Sequence, residues 1–184
     1  MSLVVALAAG ALSWTFLEYV FHRFLGHEHR HNPFGAEHTA HHSRGDYFAP
    51  WTKKLAAALV LAAGLVPAAL LVAGAPGGAF CAGLFAAYGG YEVLHRLEHV
   101  HSGFGAYGRW ARRHHFYHHF HDPRMNHGVT SPLWDIVFGT YVRVEGPIRV
   151  PARLKMCWLC DPSTDDVWPE LASDYLLRMR RDRA

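Results

Sequence analysis

Ten histidines fall into four spaced sets: His22/His27, His38/His41/His42, His95/His99 and His115/His118/His119. The second and fourth sets repeat one pattern, H-x-x-H-H, with members at i, i+3 and i+4. On a helix those three rings share a face, which is how side chains are presented to a metal ion. Neutral imidazole suits Fe, Zn, Cu or Ni rather than Mg or Ca. Ten rings exceed the coordination shell of one ion. Two ions with roughly five or fewer nitrogens each, leaving positions for O2 or water, account for the number. His95-x3-His99 is an i, i+4 pair on one helix face. His22-x4-His27 lies about 140° apart on a regular helix. That pair shares a face only if the helix ends or bulges between its members, and Gly26 makes an ending plausible.

Other residues compete for the same chemistry. His114 offers an alternative pair with His118, but the H-x-x-H-H form favours His115. His29, His31, His101, His121 and His127 are read as supporting or surface residues. Glu18, Glu37, Glu92 and Asp135 are candidates to hold a ligand ring in one tautomer. Glu92-x-x-His95 and Glu98-x-x-His101 imitate the motif of soluble carboxylate di-iron bundles. That reading leaves both histidine triplets unexplained. Arg112 and Arg113 are read as solvated cations, or as contacts to lipid head groups or an acidic redox partner. A surface that simply charges below about pH 6.5 would not need the repeated spacing.

The elements that must position these rings are apolar. Residues 55–75 carry no charged or polar side chain, enough to cross a hydrocarbon core of about 30 Å. Residues 1–21 form another apolar stretch, with Trp14, Tyr19 and Phe21 near its end as interfacial aromatics. No Lys or Arg precedes Arg23, so this stretch reads as a membrane helix rather than a removed signal. Residues 79–91 form a third, after a tight turn at Gly74–Gly78. Every Lys, Arg and His lies in residues 22–54 or from His95 onward, and the hairpin turn is uncharged. The positive-inside rule puts both polar segments in the cytoplasm.

The expected fold class is therefore all-α: about three apolar membrane segments and a cytoplasmic helical cap holding a histidine-rich dimetal site. The expected organisation is a single membrane domain over 1–184. It has a membrane helix at 1–21, a membrane hairpin at 55–91, a metal-binding cap from 22–54 and 92–145, and a tail at 146–184. Helices are expected at Trp110–His121 and Leu133–Phe138. The tail is expected to cover the cap loosely and to end in a helix-like stretch, Glu170–Arg181. The net charge of +3 does not call for nucleic acid. Cys81, Cys157 and Cys160 form no even disulfide set, and Cys157-x-x-Cys160 reads as packing.

The motifs HRFLGH, HTAHH, HRLEH and HHFYHH, in that order, resemble the fatty acid hydroxylase superfamily of membrane dimetal oxygenases, which includes sterol desaturases. The run GVTSPLWDIVFGT resembles the family's usual ending, and EYVFHRFLGH resembles its fatty acid 2-hydroxylase branch. The likeness spans Glu18–Thr140 and implies that the ten histidines bind metal. It also implies two Fe ions (Zn in some purified samples), O2, and electrons from a separate donor such as cytochrome b5, a ferredoxin or a reductase. The implied activity is hydroxylation of an unactivated C–H bond of a lipid taken from the bilayer. The implied place is a multi-pass protein of the cytoplasmic membrane, if bacterial, or of the endoplasmic reticulum, if eukaryotic, with its active site on the cytoplasmic side. The alternatives are a carotenoid β-ring hydroxylase, whose ending does not resemble GVTSPLWDIVFGT, and a lipid or sterol desaturase. Outside enzymes, the alternative is a metal-binding or transport protein. A transporter would place ionisable groups inside its spans, whereas these interiors hold none.

Overall fold

A computed structural model describes residues 2–103 and 105–178. The chain is mostly helical. It runs α1 (Leu3–Val20), a π-helical segment (Phe21–Glu28), α2 (Pro33–Arg44), α3 (Trp51–Ala73), α4 (Ala75–Val100), α5 (Gly105–Phe120) and α6 (Leu133–Val137). Two short strands follow, β1 (Ile148–Pro151) and β2 (Tyr175–Arg178).

Among the described residues, two helices are long and apolar enough to cross a membrane: Leu3–Glu28, counting the π segment, and Trp51–Ala73. At 1.5 Å per residue, the 23 residues of α3 extend about 34 Å. No α3 residue is buried, and Leu71 and Val72 are 87% and 89% exposed. A helix this apolar on every side suits lipid rather than water. Helix α4 is apolar in its first half and carries Glu92, His95, Glu98 and His99 in its second.

Helices α1 and α4 pack most extensively, through glycine. A Cβ on Gly10 would lie 1.9 Å from the Phe80 carbonyl oxygen, and one on Gly83 would lie 2.0 Å from that of Leu7. Only glycine permits this approach, as in small-residue contacts between membrane helices. The α3–α4 turn is tighter than expected. Gly74 alone, at φ +60°, reverses the chain, and Ala75 and Pro76 already open α4. Proline suits this position because the first N–H groups of a helix have no intrahelical acceptor.

The tail corrects the all-α expectation. β1 and β2 pair in parallel, Ile148 opposite Tyr175. Their inner residues join Phe116 of α5, Met156, Leu159 and Cys160 in a buried core. The segment is packed, not loosely laid. Asp174 accepts hydrogen bonds from Arg109 and from Arg113, which also reaches the Gly146 carbonyl. The expected terminal helix is a short 3₁₀ turn, Pro169–Leu171, followed by β2, because alternate Tyr175 and Leu177 fill the core; residues 179–181 lie outside the described residues.

Candidate metal centre

Helix α2 opens with Asn32, whose side chain accepts from Gly35 N–H at 2.9 Å, and with Pro33 at the first position. It closes at Gly45, φ +75°. It therefore presents His38, His41 and His42 from a helix defined at both ends. The π segment settles the His22/His27 question. Its i→i+5 bonding, continued by His29 N–H to the Phe24 carbonyl, stacks residues five apart on one side. The two rings come to 5.3 Å. Gly26 does not end the helix here. It leaves room for the His38 ring, whose Cδ2 would be 2.9 Å from a Cβ at that position.

The ten histidines gather into two groups of five. His22, His27, His38, His42 and His118 form the first, and His41, His95, His99, His115 and His119 the second. Within each group one nitrogen per ring lies within 4.8 Å of all the others. Neither H-x-x-H-H triplet serves one group alone. Helix α2 sends His38 and His42 to the first and His41 to the second. Helix α5 sends His115 and His119 to the second and His118 to the first. The i, i+4 pair faces one centre, and the ring beside it turns to the other. His42 and His119 stack where the groups meet, with centroids 3.9 Å apart.

The donors suit a metal. Nε2 of His27 lies 2.9 Å from Nε2 of both His38 and His118. His41–His95 and His99–His115 approach at 3.0 and 3.1 Å through the same atoms. Nitrogens about 2.0–2.1 Å from a shared ion at right angles would be about 3 Å apart. Three rings have their tautomer set by backbone carbonyls. Nδ1 of His22 bonds the His127 carbonyl at 2.5 Å, that of His41 the Tyr47 carbonyl at 2.7 Å, and that of His118 the Met125 carbonyl at 2.8 Å. Each Nε2 then carries a lone pair aimed inward. Nε2 of His22 and of His42, and both nitrogens of His119, are buried without hydrogen-bond partners, an arrangement a bound cation would satisfy. Burial, reinforced by the neighbouring rings, holds His38, His42, His115, His118 and His119 well below the usual histidine range. Burial likewise brings His41 down to about 4. These rings are neutral, the state a metal requires.

The carboxylates work at one remove. None of Glu18, Glu37, Glu92 and Asp135 accepts from a ring of the ten among the described residues. Glu18 accepts from Val129 N–H and from both the N–H and hydroxyl of Thr130. Asp135 accepts from the N–H groups of His127 and Gly128 and from the Thr140 hydroxyl. These bonds fix the loop whose His127 carbonyl orients His22. Burial would raise the Asp135 carboxyl, but hydrogen bonds from His114, His127, Gly128 and Thr140 together hold it below the usual range. Glu37 takes Tyr47 and Lys53, and Glu92 takes Lys54.

His114 faces Asp135 at 3.3 Å and stands outside both groups. His29, His31, His101 and His121 are exposed, and His127 is buried. Arg112 and Arg113 are not solvated cations or lipid contacts. Arg112 is 2% exposed, donates to the His101 carbonyl and lies over Trp158, while Arg113 ties down the tail. Cys160 packs in the tail core and Cys157 is exposed, both as free thiols. Sequence reasoning missed the carbonyls of Tyr47, Met125 and His127, since any residue carries one. It also missed Trp158, which donates to the His99 carbonyl at 2.8 Å.

A cleft of about 590 Å³ leads to the rings. His22, His38, His41 and His95 line one part, and Ala57, Leu61, Leu84 and Phe85 another. Its walls come from α1, α2, α3 and α4.

Comparison with known proteins agrees with this architecture. A dihydroceramide fatty acyl 2-hydroxylase of Arabidopsis thaliana is 31% identical over 77% of this chain and 62% of its own length. The fatty acid 2-hydroxylase of Mus musculus is 32% identical over 74% of this chain and 39% of its own. The chain thus spans about two fifths to three fifths of these relatives. The structure of full-length scs7p, in which only the hydroxylase domain is visible, superposes with a TM-score of 0.60 and 27% identity, covering 82% of this chain and 61% of that one. The fatty acid hydroxylase model matches residues 7–140, which takes in all four histidine sets, the cleft helices and the 127–140 loop; the chain belongs to the fatty acid hydroxylase family.

Proposed function

We propose that the chain is a membrane dimetal oxygenase that hydroxylates an unactivated C–H bond of a lipid acyl chain. The observation that carries this is the cleft: an apolar passage from the α3 and α4 side chains Leu61, Leu84 and Phe85 to the inward rings of both histidine groups. The ten histidines are the proposed ligands, five to each ion. Two iron ions, with O2 and electrons from a separate donor, supply the oxidising power that amino-acid side chains lack. The chain's own part is positional. Carbonyls of His127, Tyr47 and Met125 hold three rings in the ligating tautomer. Phe48, Trp14 and Tyr91 line the passage beside the rings and exclude water from the reacting carbon. The cleft walls hold the chain in a line past the site. The printed activities of the relatives favour a fatty acyl chain, free or within a ceramide, as substrate class.

The α1 helix, α3 and the first half of α4 are read as three spans. Charge asymmetry supports a cytoplasmic cap, since every Lys and Arg lies in the polar segments. The test is lipid profiling of host membranes with and without the chain under ¹⁸O2. One ¹⁸O in a hydroxylated acyl product is expected, and its absence, with iron and a reductant supplied, overturns the reading.

A further inference from the structure

One buried carboxylate borders the second histidine group and has no role in the interactions above. Glu98 lies on α4 between His95 and His99 and is fully buried, and neither of its oxygens has a hydrogen-bond partner. Its Oε2 is 4.0 Å from Nε2 of His115, the same nitrogen that meets His99 Nε2 at 3.1 Å inside the group. Glu98 therefore flanks the inward edge of His115, just outside the five donors that lie within 4.8 Å of one another. A carboxylate buried without donors bears its desolvation cost unrelieved. Burial, with repulsion from Glu18, pushes its carboxyl well above the usual range; Arg112 attracts it, but directs Nη1 to the His101 carbonyl.

Five neutral imidazoles present the opposite imbalance. They would surround a divalent ion in a buried site with no anion to offset its charge. Among the described residues the first group has no comparable carboxylate to hand. Glu18 is saturated by the Val129 and Thr130 N–H groups and the Thr130 hydroxyl, and Asp135 by the 127–140 loop.

We propose that Glu98 is an oxygen ligand of the ion held by the second group. That site is then five histidines and one carboxylate, while the first is histidine alone. The two ions are chemically unequal, and the second is the more firmly held. This inference rests on the dimetal reading above.

The test uses Co²⁺ as a spectroscopic probe on the purified chain in detergent, with Glu98→Gln and Glu98→Met. Metal content, chelator competition and X-ray absorption are measured, with helical content as the folding control. Methionine replaces a buried charge by an apolar side chain of similar volume, a change that folds commonly tolerate. Wild-type protein is expected to take up two ions, one resisting chelator more strongly. In both variants that ion's affinity is expected to fall about 10- to 100-fold. The methionine variant is also expected to lose an oxygen scatterer, and the weaker ion is expected to be unchanged. Two ions bound with wild-type affinity and spectrum in both variants overturn the role of Glu98 alone. Weaker binding with an unchanged coordination spectrum also overturns it, since Glu98 would then only orient His115. A wild-type chain that never takes up two ions overturns the dimetal reading itself.

Discussion

The two histidine groups draw on the same two helices in opposite proportions, yet their remaining ligands come from very different backbones. The second group takes His95 and His99 from α4, a regular helix whose i, i+4 spacing brings both rings to one side. Four of its five rings are buried. The first group takes His22 and His27 from a π-helical segment, and its two buried rings are His22 and His118. Those two rings are oriented by carbonyls of one loop, His127 and Met125. Preorganisation therefore resides in different places in the two groups. In the second group it belongs to helix geometry, with the Tyr47 carbonyl orienting His41, and in the first to a bulge and a loop held by Glu18 and Asp135.

The largest test of this contrast is ligand removal. His118→Ala is expected to lose the first ion and His119→Ala the second. Metal content is expected to fall from the proposed two per chain to one in each case, and the proposed hydroxylation to drop by more than about 100-fold. Retention of both ions in either variant breaks the division into two groups.

Asp135→Asn removes a charged acceptor from four donors, His114, the N–H groups of His127 and Gly128 and the Thr140 hydroxyl. A loss of about 2–3 kcal/mol in unfolding free energy is expected, with weakening at the first ion before the second. Equal weakening at both would show that the loop does not serve the first group selectively.

Acidification acts on both groups. A histidine whose folded pKa is depressed binds fewer protons folded than unfolded, so stability rises with pH across that interval. For His41 the interval runs from about 4 to the ordinary histidine value of about 6.5. Midpoint temperature is therefore expected to be flat above pH 7 and to fall as pH drops from 6.5 toward 4. Asp135 adds its loss only below about pH 4, as pH approaches its depressed folded value. A midpoint that rises on acidification through this window contradicts burial of neutral rings.

Gly26→Ala is a smaller perturbation. Its Cβ meets the His38 ring at 2.9 Å, so the first ion is expected to bind about tenfold more weakly, with the second unaffected. Smallest is Trp158→Phe, which removes one hydrogen bond to the His99 carbonyl. A loss of about 1 kcal/mol is expected, felt at the second group and not the first.

Much of the site was legible because its signal is periodic. Histidines at i, i+3 and i+4 can meet on a helix face whatever surrounds them, so the ten rings stood out before any fold was known. The π segment was half legible. The 140° offset required an irregularity between His22 and His27, but an ending at Gly26 fitted as well as a bulge. The tail was misjudged, since its alternating pairs, Ile148/Val150 and Tyr175/Leu177, are too short to signal strands locally and gain their place from the core they share with Phe116, Met156 and Leu159. Arg112 and Arg113 looked solvated for a similar reason, because their partners are sixty residues away or are backbone carbonyls.

The sequence by itself determined the four histidine sets, their number, the apolar helices beneath them and the family the chain belongs to. These follow from residue type and helical spacing, which are local. Only the tertiary structure decided that each triplet divides two to one between the groups, because the division depends on how α2 and α5 face each other. It also decided that the 127–140 loop orients His22 and that Glu98 borders the second group without a partner. Those facts depend on which groups meet across sequence separations of up to about a hundred residues, and no local pattern records them.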